Sequence, residues 1–169
     1  MRRPRRKGRA TKDAERRALA KANARPARPL APAPEGFAVL HTDGGARGMP
    51  ARAAIGYVIH APDDVRLAAH AEAIGEASAV VAEYRALLAG LRRAHELGLT
   101  RLAARSDSQI LIGHVNGERH VRSPALVELE TEIADVRARI GTVVFDWIPA
   151  DANRAAHALV AGRLRRETR

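Results

Sequence analysis

Residues 37–48 read FAVLHTDGGARG, and the architecture turns on what this stretch opens. FAVLHT is a short β-branched and aromatic run that predicts a strand, and DGGARG behind it predicts a tight glycine-rich loop. Two more strand-length runs follow, AAIGYVIH (53–60) and RLAAHAEAI (66–74), with APDD between them as a hairpin turn. From about Ser78 the period changes. Val80, Tyr84, Leu87, Leu88 and Leu91 recur at steps of three and four, so residues 76–97 are expected to form an amphipathic helix stopped by Gly98. LTRLAARS (99–106) then reads as a strand, DSQILIGHVNG (107–117) as a short helix ended by glycine, and 123–139 as a helix opened by Ser123 with Pro124 in its first turn. TVVFDWI (142–148) is a last strand, and a final helix is expected from about Ala152 to Arg165. The order βββαβααβα predicts an α/β mixture with an antiparallel half and a parallel half. No internal repeat is visible.

With 169 residues the chain has room for one ordinary domain and a tail. It has no cysteine, which excludes a disulfide framework and a thiolate metal site. No apolar run reaches transmembrane length and no secretory core follows the basic start, so a cytoplasmic protein without a membrane partner is expected. The net charge of +10 is unevenly placed. Residues 1–30 hold 12 Lys and Arg against Asp13 and Glu15, whereas the remainder holds 17 basic and 17 acidic residues. The excess therefore belongs to the tail, which has too few large apolar residues to fold alone and is suited to contacting nucleic acid. Residues 10–24 carry good helix formers without an apolar stripe, and Pro26, Pro29, Pro32 and Pro34 then favour an extended spacer. A basic, proline-rich, disordered or partly helical segment over 1–34 is expected to precede a folded domain over 35–169.

Three acids occupy positions where a small domain prefers apolar residues. Asp43 ends the first predicted strand, Glu83 projects beside the apolar stripe of its helix, and Asp107 lies where the fourth strand becomes a helix. Each alone has a structural explanation: a turn residue, the partner of an arginine, a helix N-cap. Together they imply a shared site, because buried carboxylates cost several kcal/mol unless they are paired or bind a cation, and oxygen ligands of this kind suit Mg²⁺ or Mn²⁺.

TDGGARG with Asp43, VAEYRALLAGL with Glu83, SDSQ with Asp107 and ANRAAHALV near the end resemble, in order and spacing, the four signature segments of type 1 ribonuclease H. The resemblance covers roughly Phe37 to Arg165. It implies the ribonuclease H-like fold, a five-stranded mixed sheet of three antiparallel then two parallel strands flanked by helices. It also implies an endonuclease that cuts the RNA strand of an RNA–DNA hybrid. Asp43 would bridge two divalent ions about 3.5–4 Å apart, with Glu83 and Asp107 completing their coordination. Gly44 and Gly45 would let the backbone approach the RNA sugar, and Arg47, Ser108 and Gln109 are further implied substrate-binding positions.

His157 falls where the family pattern N-x-x-A-D carries a fourth carboxylate. Read from the residues alone it is a core histidine beside Leu159 and Val160; read from the resemblance it is a catalytic and metal-binding position. An imidazole brings no negative charge, so a preference for Mn²⁺ over Mg²⁺ is expected; His157 as a proton shuttle is the alternative. Two further departures bear on substrate grip. Ser78, Ala79 and Val80 stand where the family often has T-N-N, and no long basic, tryptophan-containing insertion lies between Gly113 and Ser123. The basic tail is expected to compensate as a non-specific tether, with the domain acting as a monomer. The rival readings are a non-catalytic nucleic-acid-binding module on the same fold and an adaptor that uses its tail to hold a polyanion.

Overall fold

Ala38, Leu40, Thr42 and Gly44 are buried while the residues between them are partly exposed, a period of two that runs on past the expected end of the first strand. In the computed structural model, which describes residues 30–167, strand β1 spans Ala38–Arg47. DGGARG is therefore mostly strand rather than loop: Asp43 pairs with Gly56 and Gly45 with Ala54 across an antiparallel ladder. The turn falls later, at residues 48–51. The helix expected over 10–24 and the basic residues ahead of Leu30 lie outside the described residues.

β2 (Arg52–His60) and β3 (Arg66–Glu76) complete the antiparallel half, and β4 (Arg101–Ser106) and β5 (Thr142–Trp147) pair in parallel, giving the order β3-β2-β1-β4-β5. This is the mixed sheet expected from the sequence. Helix α1 (Ala79–Glu96) starts where the Ser78 hydroxyl accepts from the Val81 N–H, and it ends as Gly98 takes a positive φ of 72° and Leu99 N–H bonds back to Ala94. Helices α2 (Gln109–Val115) and α3 (Pro124–Ile140) follow β4, joined by residues 116–123 without an inserted helix. A single 3-10 turn, Ala150–Ala152, precedes α4 (Arg154–Glu167), so the final helix starts two residues later than expected.

The main core lies between the sheet and helices α1 and α3, built on Leu40, Ile59, Tyr84, Leu87, Leu91, Leu102 and Ile133. Burying each large aliphatic side chain contributes roughly 1.5–3 kcal/mol. Helix α4 covers the opposite face through Val160 and Leu164 on Ala54. Glycines set both approaches. A Cβ on Gly44 would lie 2.2 Å from the Ala82 carbonyl carbon of α1, and one on Gly56 would lie 3.0 Å from Val160 of α4. Close approach of α1 therefore depends on Gly44, and it sets Glu83 beside Asp43.

The chain divides into Met1–Leu30 and Ala31–Arg169, and the second unit holds all of these elements. Ala31, ahead of the boundary expected at residue 35, already meets the sheet. Its carbonyl accepts a 2.7 Å hydrogen bond from buried Arg105, which also lies 3.7 Å from Asp146.

Candidate active site

Three elements bring the acids together. β1 carries Asp43 on the face toward α4, α1 carries Glu83, and β4 ends at Ser106 so that Asp107 leaves the sheet beside them. Each carboxylate has an identifiable partner. The Ser108 hydroxyl donates to Glu83 Oε2 at 2.6 Å, Asn153 Nδ2 donates to Asp107 Oδ1 at 2.7 Å, and His157 Nδ1 lies 3.3 Å from Asp43 Oδ2. Ser108, not Asp107, is the N-cap of α2, accepting from the Leu111 N–H at 3.3 Å.

The electrostatics follow from this crowding. Burial, and then the Asp107 charge, push the Asp43 carboxyl up from 3.8 to about 6, against the opposing pull of His157. Burial likewise raises Glu83, opposed by the Ser108 hydrogen bond and aided by Asp43 and Asp107. His41, two residues before Asp43 on the same face, is lowered to about 4 by burial and by Arg105, so at neutral pH it adds no positive charge. The site thus concentrates negative charge, with the neutral donors Ser108 and Asn153 holding Glu83 and Asp107. Among the described residues no three His, Asp or Glu side chains already close on one point; Glu83 and Asp107 are turned to Ser108 and Asn153. The donor set nevertheless suits a hard divalent cation, which would relieve the mutual repulsion that raises Asp43 and Glu83.

His157 is not a core histidine. Its side chain is 70% exposed, and it reaches Asp43 from the first turn of α4. The other expected positions divide. Gln109 is exposed at the start of α2, close in sequence to Asp107. The Ser108 hydroxyl, expected at the substrate, is engaged by Glu83 and the α2 backbone. Gly44 and Gly45, expected to leave room for an RNA sugar, leave room for protein: α1 backbone fills the space at Gly44, and Val160 lies 3.2 Å from a Cβ on Gly45. Arg47 is exposed at the end of β1, about 13 Å along the strand from Asp43.

Asn153 was missed as a functional residue, although it stands in ANRAAHALV. Fully buried just ahead of α4, it divides its amide between Asp107 and the Thr42 carbonyl at 2.9 Å. An asparagine ahead of an alanine-rich helix reads as a cap, and nothing local points to partners on β1 and just past β4. Trp147 is the second omission: its Nε1–H donates to the Asp107 carbonyl at 3.1 Å.

Residues 41–162, which span all four acidic or histidine positions, match the model of the reverse transcriptase-like family. The solved N-terminal RNase H domain of Rv2228c from Mycobacterium tuberculosis superposes with a TM-score of 0.72 at 34% identity, covering 75% of this chain and 97% of that domain. The chain belongs to the ribonuclease HI-like family. The curated Mycobacterium tuberculosis protein, bifunctional protein Rv2228c, is 35% identical over 122 residues, 72% of this chain and 34% of its own length. Ribonuclease HI of Halobacterium salinarum is 34% identical over 122 residues, 69% of this chain and 59% of its own. The chain thus spans between a third and three fifths of these curated relatives. LC11-RNase H1, isolated from compost by a metagenomic approach and solved in complex with an RNA/DNA hybrid, gives a TM-score of 0.73 at 31% identity, covering 78% of this chain and 99% of that one. Ribonucleases H generally use divalent metal ions.

Proposed function

We propose that this ribonuclease H domain is an active, metal-dependent endonuclease that hydrolyses the RNA strand of RNA–DNA hybrids. The observation that carries the reading is the meeting of Asp43, Glu83 and Asp107 from β1, α1 and the end of β4, with Glu83 and Asp107 held by the neutral donors Ser108 and Asn153. The hybrid as substrate is supported by the bound RNA/DNA in the LC11-RNase H1 complex. Asp43, Glu83 and Asp107, with His157 beside them, would hold two Mg²⁺ or Mn²⁺ ions, which supply an activated water and charge stabilisation at the leaving 3′ oxygen.

The chain's own residues do the positioning. Ser108 fixes the Glu83 carboxylate and Asn153 that of Asp107, and neither brings a positive charge that would compete with a cation. His157 Nδ1 faces Asp43 Oδ2 and contributes a nitrogen where an acid would contribute charge, which favours Mn²⁺ over Mg²⁺. The domain acts as a monomer, and the basic tail holds the duplex through phosphate contacts that read no sequence.

Cleavage of an end-labelled hybrid in Mg²⁺ and in Mn²⁺ tests the reading. The wild type is expected to cut the RNA strand faster in Mn²⁺, Asp43→Asn to lose roughly a thousandfold or more in rate, and His157→Asp to recover Mg²⁺-dependent cutting. The imidazole at 157 also favours a second reading, a hybrid-binding module without chemistry. A wild type that binds the hybrid but is inert in both metals establishes that module instead.

A further inference from the structure

We infer that Trp147 is a substrate-contacting residue, its indole face forming with Ile110 and Gln109 a platform beside Asp107 for the sugar of a nucleotide next to the scissile phosphate. The inference deepens the hybrid-cleavage reading and rests on it.

Trp147 is the chain's single tryptophan, and the fold leaves it 46% exposed at the end of β5, two residues after buried Phe145. Its one polar atom is already used. The Nε1–H bond to the Asp107 carbonyl pins one edge of the ring to the residue whose carboxylate stands in the site, leaving an apolar surface to the solvent. The pairing of Ser106 with Trp147 places the ring alongside the last residue of β4, one step before Asp107. On the chain's other side of Asp107, Ile110 is 45% exposed in the first turn of α2, next to exposed Gln109. Two of the large hydrophobics that the described residues leave exposed therefore flank a single acid of the site.

Large apolar side chains held at the rim of a charged cluster are poorly placed for stability and well placed for a ligand with both apolar and anionic parts. A nucleotide of a duplex is such a ligand: its phosphate belongs at the cations that the carboxylates would hold, and its sugar offers an apolar C–H face at the groove while the bases stay stacked. An aromatic face packed on a sugar is indifferent to the base it carries, which fits a surface that reads no sequence. A ring pinned in advance also loses little freedom on binding.

Because no other tryptophan is present, the intrinsic emission of the full chain reports this ring alone. Titration with an unlabelled RNA–DNA hybrid in EDTA is expected to quench Trp147 with the same midpoint as the anisotropy of a fluorescein-labelled hybrid. In steady-state cleavage, Trp147→Ala is expected to raise KM about tenfold with kcat within about twofold, and Trp147→Phe to restore most of it by keeping the ring without the Nε1–H. Binding and cutting without any change in emission overturn the platform. So do equal losses in the Ala and Phe variants carried by kcat, which would make the hydrogen bond to Asp107 the whole role. If the full chain neither binds nor cuts the hybrid, the functional reading fails and the platform falls with it.

Discussion

Asp43 binds its proton more tightly in the folded chain, near about 6, than at its ordinary 3.8. A raised folded value means that this group favours folding in full below about pH 4 and loses that contribution as pH rises through 6. Asp43→Asn keeps a neutral side chain at every pH. In chelator the variant should match the wild type near pH 4 and exceed it at pH 8 by on the order of 1–3 kcal/mol; equal melting temperatures at pH 8 would refute the uncompensated charge. Asn153→Ala should act in the opposite direction, costing about 2–3 kcal/mol in urea unfolding by stripping the Thr42 carbonyl and Asp107 of their shared donor. These two residues also mark what the sequence could and could not tell. Asp43, Glu83 and Asp107 were legible as candidates because acids beside apolar stripes break a pattern, whereas His157, a core histidine when read from the residues alone, became one only through the family pattern. Asn153 and Trp147 break none, since an asparagine before a helix and an aromatic ending a strand are ordinary, and their partners lie at least 40 residues away in sequence.

At the scale of elements, the glycines of DGGARG were read with the right residue type and the wrong purpose. Turn propensity predicted a loop, but β1 continues through them because Gly44 must admit the α1 backbone and Gly45 must pass beneath Val160. Close contact between distant elements outweighed local preference, and such contact leaves no local signature. Gly44→Ala should consequently cost about 3 kcal/mol or more by parting β1 from α1, with Glu83 displaced from Asp43. Gly162→Ala is the matched control. It lies within α4, its Cβ would meet nothing nearer than Arg165 at 3.7 Å, and it should stabilise by about 0.5–1 kcal/mol. Denaturant unfolding of the pair checks both signs. The element order itself was legible throughout, since the shift from period two to period 3.6 near Ser78 survives packing.

At the scale of the molecule, excess charge and the candidate site lie in different parts of the chain, the surplus of basic residues in 1–30 and the clustered acids between 43 and 107. Deleting residues 1–29, which keeps Ala31 on Arg105, should weaken hybrid binding and flatten the slope of log affinity against log salt by about 0.9 for each phosphate that is no longer neutralised. An unchanged slope would return the grip to the folded domain. That division was readable from composition alone, whereas the docking of Ala31 on the sheet was not, because proline spacing says how stiff a segment is and nothing of where it rests. The amide of Asn153 carries a further consequence. It joins Thr42 and Asp107 across 111 and 46 residues of chain, so as the polypeptide leaves the ribosome Asp107 emerges well before the side chain that secures it, and Asp43 before the His157 that faces it. The candidate site therefore cannot be completed by the elements through β5 alone and becomes whole only once α4 has emerged and docked.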